Sequence, residues 1–149
     1  MKDLRTHDIK VLNDLITTTL DSADGYDEAS KDAKNTSFKT LFARWSQERR
    51  QVVTELQQEV RSLGGKPSDD GSVLGSAHRA FLSVRDSLSK GDKSVVEEVE
   101  RGEDYIKNKF EEALNDDELS DEVRPILSRA YDSVIQGHAQ ARNLKQRYQ

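Results

Sequence analysis

"KPSDDGSVLGSAHRAFLSVRDSLSKGD", residues 66–92, decides how this chain folds. On each side of it stands a pair of long segments with apolar residues at helical spacing. The first segment reads as a helix from about residue 6 to 33, on the stripe Leu12, Ile16, Leu20, Ala23 and Tyr26. The second reads from about 37 to 63, on Phe38, Leu41, Phe42, Trp45, Val52, Leu56, Val60 and Leu63. "KNTS" (34–37) supplies capping residues between them, and Gly64-Gly65 followed by Pro67 is a stop signal. The other pair spans about 93–114 and 121–147, joined by the acidic turn "NDDELSDE" (115–122). Asp92 is placed to cap the first of these, and Pro125 belongs in the first turn of the second or just after it.

Short connections make each pair antiparallel. The linking stretch is different, because it contains a helix of its own, about 73–88, with Leu74, Phe81 and Val84 turned inward. Helices of 22 to 28 residues span roughly 33–42 Å. The link is long enough to travel that distance, which makes 37–63 and 93–114 run parallel. An all-α, ferritin-like four-helix bundle follows, with a long helical crossover between the second and third long helices.

Composition narrows the function classes. One domain with one core suits 149 residues. Apolar and charged residues each make up 34%, which wide solvated helix faces can carry. A net charge of −5 argues against nucleic-acid binding. The chain has no cysteine, so thiolate chemistry and disulfides are excluded. No apolar run exceeds three residues, which excludes a membrane-spanning helix. "MKDLRTHDIK" shows no secretory h-region, and a cytoplasmic protein is the expectation.

The runs "LNDLITTTLDSADGY" (12–26), "ERRQVVTELQQEVRSLGGKP" (48–67), "GSAHRAFLSVRDSL" (75–88) and "EEVERGEDYIKNKFEEAL" (97–114) resemble an uncharacterised bacterial four-helix-bundle family, a domain of unknown function related to the ferritin-like fold. "LGGKP" and "ERGED" are the most specific parts of the likeness. The resemblance covers nearly the whole chain and implies a fold, but no activity.

Di-iron proteins of that fold take a Glu-x-x-His pair from each of two helices. This chain has no Glu-x-x-His: the second helix offers Glu48-Arg49-Arg50-Gln51, and the last offers Asp132-Ser133-Val134-Ile135 and Ile135-Gln136-Gly137-His138. Glu48, between Trp45 and Val52, is expected to face inward. Glu103, between Val99 and Ile106, is expected to face it near mid-bundle, with Asp24 and Asp132 as neighbours. If a metal binds, the candidate ligands are Glu48, Glu103, His138, Asp24 and Asp132, a donor set suited to iron, manganese or zinc. The competing expectation is that the inward acids pair with Arg49, Tyr26, Tyr131 or His138, since a buried charge must be compensated. No metal or other cofactor is expected, because ligand pairs are missing.

His7 and His78 read as solvated. Gly25, Gly102 and Gly137 stand inside helices, where each costs about 1 kcal/mol against alanine. Counting levels places Gly102 beside Trp45, where it makes room for the indole. The sequence holds no Ser-His-Asp set and no phosphate-cradling glycine loop. The resulting expectation is a soluble bundle without catalysis, acting as a binding or stress-associated accessory protein. A ferritin-like metalloprotein in redox chemistry or metal storage is the alternative, and a self-associating structural module the third. The partner is then an unknown protein or a second copy.

Overall fold

The computed structural model describes residues 4–71 and 76–148, without the side chains of Leu4, Ser76 and Ala77. Its helices are α1 (Leu4–Asp32), α2 (Thr36–Ser62), α3 (Ser76–Ser87), α4 (Asp92–Leu114) and α5 (Arg124–Arg147), with a 3-10 turn at Leu88–Lys90. Among the described residues there is no strand, and no helix is long and apolar enough to cross a membrane. Leu74, expected to point inward, lies outside the described residues.

The helix ends follow local chemistry. The Asn35 side chain accepts the backbone N–H groups of Ser37 and Phe38 at 2.9 and 3.3 Å, capping α2. At the other end Gly64 takes φ 84°, while the N–H groups of Gly64 and Gly65 reach back to the carbonyls of Arg61 and Val60. That is a Schellman ending, and it needs glycine at the left-handed position. Asp92 does not cap α4. Gly91, at φ 101°, precedes the helix, and Asp92 occupies its first turn, where a carboxylate favours the helix dipole. The last helix begins at Arg124 rather than 121. A helix starting at 121 would require an N–H from Pro125, which has none.

The acidic turn is fastened from two sides. The Arg124 guanidinium donates to the carbonyls of Leu114, Asp116 and Leu119, at 2.7, 2.6 and 3.2 Å, occupying acceptors left over at the end of α4. Buried Asp8 of α1 accepts the backbone N–H and the hydroxyl of Ser120, at 3.0 and 2.7 Å. His7 is not simply solvated: its Nε2 meets Asp116 at 2.7 Å.

Contacts along the helices set their relative directions. Asn35 meets Asp92, start against start, and Arg49 meets Glu103, middle against middle, so α2 and α4 run the same way. Phe38 packs on Tyr148, and Trp45 donates to Gln140, so α5 runs opposite to α2. The stretch after α2 moves along α1 in step. The Lys66 carbonyl accepts from Asn13, Ser68 meets Thr17, Phe81 meets Gly25 and Arg85 meets Glu28.

Around this frame lies one continuous apolar core. Its aromatic centre joins Tyr26 to Phe42, Trp45 and Phe81 at ring separations of 5.8, 5.3 and 5.7 Å. Phe81 is the anchor of α3. An added Cβ on Gly25 would lie 2.5 Å from Phe81 Cβ, and one on Gly102 would lie 2.8 Å from its Cε1. Gly102 therefore makes room for Phe81, not for Trp45 as the level count suggested. The count compared α2 with α4 and had no means of placing the α3 side chain that lies against Gly102.

Candidate functional site

Where α1, α2 and α4 meet, the core contains a polar cluster. The α2 stripe Phe38, Phe42, Trp45, Arg49, Val52, Leu56 alternates steps of three and four, and its fourth member is a guanidinium. On α4, Val99, Glu103, Ile106 and Phe110 follow the same rhythm and bring in a carboxylate. Arg49 Nη2 donates to Glu103 Oε1 at 2.5 Å, and the Tyr26 hydroxyl donates to Glu103 Oε2 at 2.6 Å. Arg49 Nη1 reaches the Ser22 hydroxyl at 3.2 Å. The Arg49 and Glu103 side chains are 4% and 1% exposed, so both charges are withdrawn from water.

Gly137 of α5 completes the enclosure. A Cβ there would collide with Arg49 Nη2 and come within 3.1 Å of Glu103 Oε1. Among the described residues no buried side-chain polar atom lacks a partner. A buried ion pair holds only when each charge is met by geometry of this kind. Burial, the Glu103 charge and the Tyr26–Glu103 hydrogen bond, outweighing the opposing pull of Arg49, push the Tyr26 pKa well above its ordinary value. The phenol therefore stays protonated and donates. Burial pulls the Arg49 pKa down, but the Glu103 charge and hydrogen bond and the Tyr26 interaction outweigh it, and the net shift is upward.

The structure separates the residues proposed as metal ligands. Glu48 does not point into the core: its side chain is 42% exposed and lies 3.8 Å from Arg44. Asp24, 53% exposed, pairs with Arg50 at 3.0 Å. Asp132 is exposed. His138 is buried, with Nε2 at 2.6 Å from Asp104. Glu103 alone stands at the expected place, and both its oxygens are engaged. The expected Glu48–Glu103 pair is thus corrected to Arg49–Glu103. Among the described residues no group of three or more His, Asp or Glu is arranged to hold a metal ion. The donor chemistry does not fit a di-metal centre, since a guanidinium fills the space where a second carboxylate would be needed.

Helical spacing alone offers Arg49 only as a partner for an inward acid and puts Glu48 on the stripe. Leu41, seven residues before Glu48, favours the acid, and Phe42, seven residues before Arg49, favours the guanidinium; the structure follows Phe42, which is fully buried while Leu41 is only partly so. At 3.6 residues per turn Arg49 lies about 20° from Phe42 around the helix, and Glu48 about 120°. Tyr131, counted as level with Glu103, instead donates to Glu111 at 2.5 Å.

A second polar contact gives a pH test at the bundle end. The His7 hydrogen bond, then the one from the Glu118 backbone, hold the Asp116 pKa below its ordinary value. A lowered carboxyl contributes stability fully above its unfolded value of about 3.9, and loses it as pH falls through the folded value. Carboxyl NMR on His7→Leu should show the Asp116 titration moving up toward the ordinary range. An unchanged Asp116 midpoint would show that His7 does not hold it down.

Among the curated proteins none matches the chain. A family model does match, over residues 7–116, a range that runs from His7 through α4 and includes Ser22, Tyr26, Arg49 and Glu103. By that match the chain belongs to the family described as Domain of unknown function (DUF2383).

Proposed function

We propose that this chain is a ferritin-like bundle with a helical crossover whose former metal level is closed by an ion pair, and that it works as a non-catalytic binding protein. The crossover reading is supported by the stretch 66–85 keeping step with α1 and by the matched starts of α2 and α4. The single observation that carries the functional reading is the enclosed Arg49–Glu103–Tyr26 cluster. A catalytic or metal-storing bundle needs exchangeable ligand positions at that level. Here a fixed cation neutralises the carboxylate, and side chains fill the space. What remains for function is the outer surface of the bundle. The same proposal extends to a bacterial setting, which the family resemblance implies.

The test is elemental analysis of tag-free protein, followed by iron, manganese and zinc titrations of wild type and Glu103→Ala. Wild type should bind each metal at well under one equivalent, with no difference that tracks Glu103. Stoichiometric metal in wild type that disappears in Glu103→Ala would overturn the reading and favour a metalloprotein.

A further inference from the structure

The crossover helix α3 lies across α1 and α4 and is held differently from the long helices. Among its described residues two apolar side chains, Phe81 and Val84, are buried. Its ties to α1 through Arg85–Glu28 and His78–Asp21 are long, at 3.4 and 3.9 Å, and open to water. Phe81 joins the two hairpins: its backbone lies on Gly25 of α1, and its ring lies on Gly102 of α4 with its edge to Tyr26. Neither glycine has a side chain to interlock with it. The chain is fixed again just outside α3. Ser68 donates its N–H to Asn13 at 2.8 Å, and its carbonyl accepts from Gln57 at 2.9 Å. On the other side Gly91, at φ 101°, forms a joint that favours glycine before α4 starts.

From this geometry we propose that α3 is a strap with Phe81 as its latch. It lifts as a unit between Ser68 and Gly91 while the α1–α2 and α4–α5 hairpins stay folded, and it uncovers a slot on Gly25, Tyr26 and Gly102 that takes one aromatic ring. The hairpins can stay together because their polar ties bypass α3. Arg49, Glu103 and Tyr26 join α2, α4 and α1, and Trp45 and Gln140 join α2 to α5. An element with little buried apolar surface opens at lower free energy than the core it covers. The slot suits a ring because a ring fills it in the closed form, in edge contact with Tyr26 at 5.7 Å. The Tyr26 hydroxyl stays bound to Glu103, so the slot presents the ring of Tyr26 and not its polar end.

Amide hydrogen exchange of the wild-type chain, followed by NMR through a series of urea concentrations below the unfolding transition, reads the strap directly. Amides 82–87 should share one opening equilibrium and exchange about a hundredfold or more faster than those of Leu56 and Ile106, after correction for intrinsic rates. Their rates should depend weakly on urea, because opening exposes little surface, while those of Leu56 and Ile106 should depend steeply. Exchange of 82–87 at the same free energy and urea slope as Leu56 would overturn the proposal, since α3 would then leave only when the whole chain unfolds. A graded loss of protection from the ends of α3 inward would also overturn it, as fraying and not a strap. The slot is tested with Phe81→Ala and the probe indole. The vacated seat should bind indole and raise the melting temperature of the variant, with little change in wild type, because an apolar cavity accepts an aromatic molecule of matching size. A folded Phe81→Ala that ignores indole would overturn the slot, and if the variant does not fold, the wild-type exchange pattern decides. The metal titrations read the cluster on α1, α2 and α4, so their outcome is independent of the strap.

Discussion

Arg49→Leu should lower the stability of this bundle by about 3–5 kcal/mol, because it leaves the Glu103 carboxylate buried without its cation. For a chain of this length that corresponds to roughly 10 °C in melting temperature. Tyr26 would still donate to one oxygen, but a hydroxyl does not replace a guanidinium charge. The double change Arg49→Leu/Glu103→Leu removes both charges and refills the space with apolar side chains. It should be substantially more stable than the single variant, as isosteric replacement of a buried pair often is. Urea denaturation of both variants and of Glu103→Leu closes a double-mutant cycle. A single variant that loses less than about 1 kcal/mol would show that water reaches the pair and screens it.

Gly25→Ala should also destabilise, although alanine is the better helix former by about 1 kcal/mol. The new methyl would stand 2.5 Å from Phe81 Cβ, and 3.0 and 3.1 Å from the Phe81 carbonyl oxygen and carbon. Backbone cannot swing aside as a side-chain end can, so α3 must move away from α1. Overpacking of this kind costs about 1–3 kcal/mol, and against a propensity gain of about 1 kcal/mol a net loss of about 1–2 kcal/mol is expected. Gly102→Ala touches only the ring edge of the same phenylalanine, at 2.8 and 3.0 Å, and should be milder. Truncating Phe81 to alanine should relieve the clash at Gly102 but not at Gly25, because it keeps the Cβ and the backbone. Chemical denaturation of the three variants checks the ranking. A stabilised Gly25→Ala would mean that α3 sits less tightly than its geometry requires.

The two predictions mark the line between what was written along the chain and what was not. The helices were legible because each is long enough to repeat its apolar spacing several times, and because Asn35, Gly64 and Pro125 act on their own backbone neighbours. Glu103 was legible as inward-facing for the same reason: Val99 and Ile106 flank it at steps of four and three. On α2, Glu48 and Arg49 lie about 60° and 40° from Trp45, on opposite sides, so the nearest aromatic residue does not choose between them. Phe42 favours Arg49, but a charged residue is accepted in a core only once its counter-charge is known. That counter-charge lies 54 residues away on another helix. Tertiary packing alone brought Glu103, Tyr26 and Ser22 around the guanidinium and set Gly137 against it. It also turned Gly25 and Gly102 toward Phe81. Helical periodicity fixes which side of a helix is buried, because it is a property of one segment. The partner on that side depends on the relative height and rotation of separate helices, and those are set only when all the faces pack together.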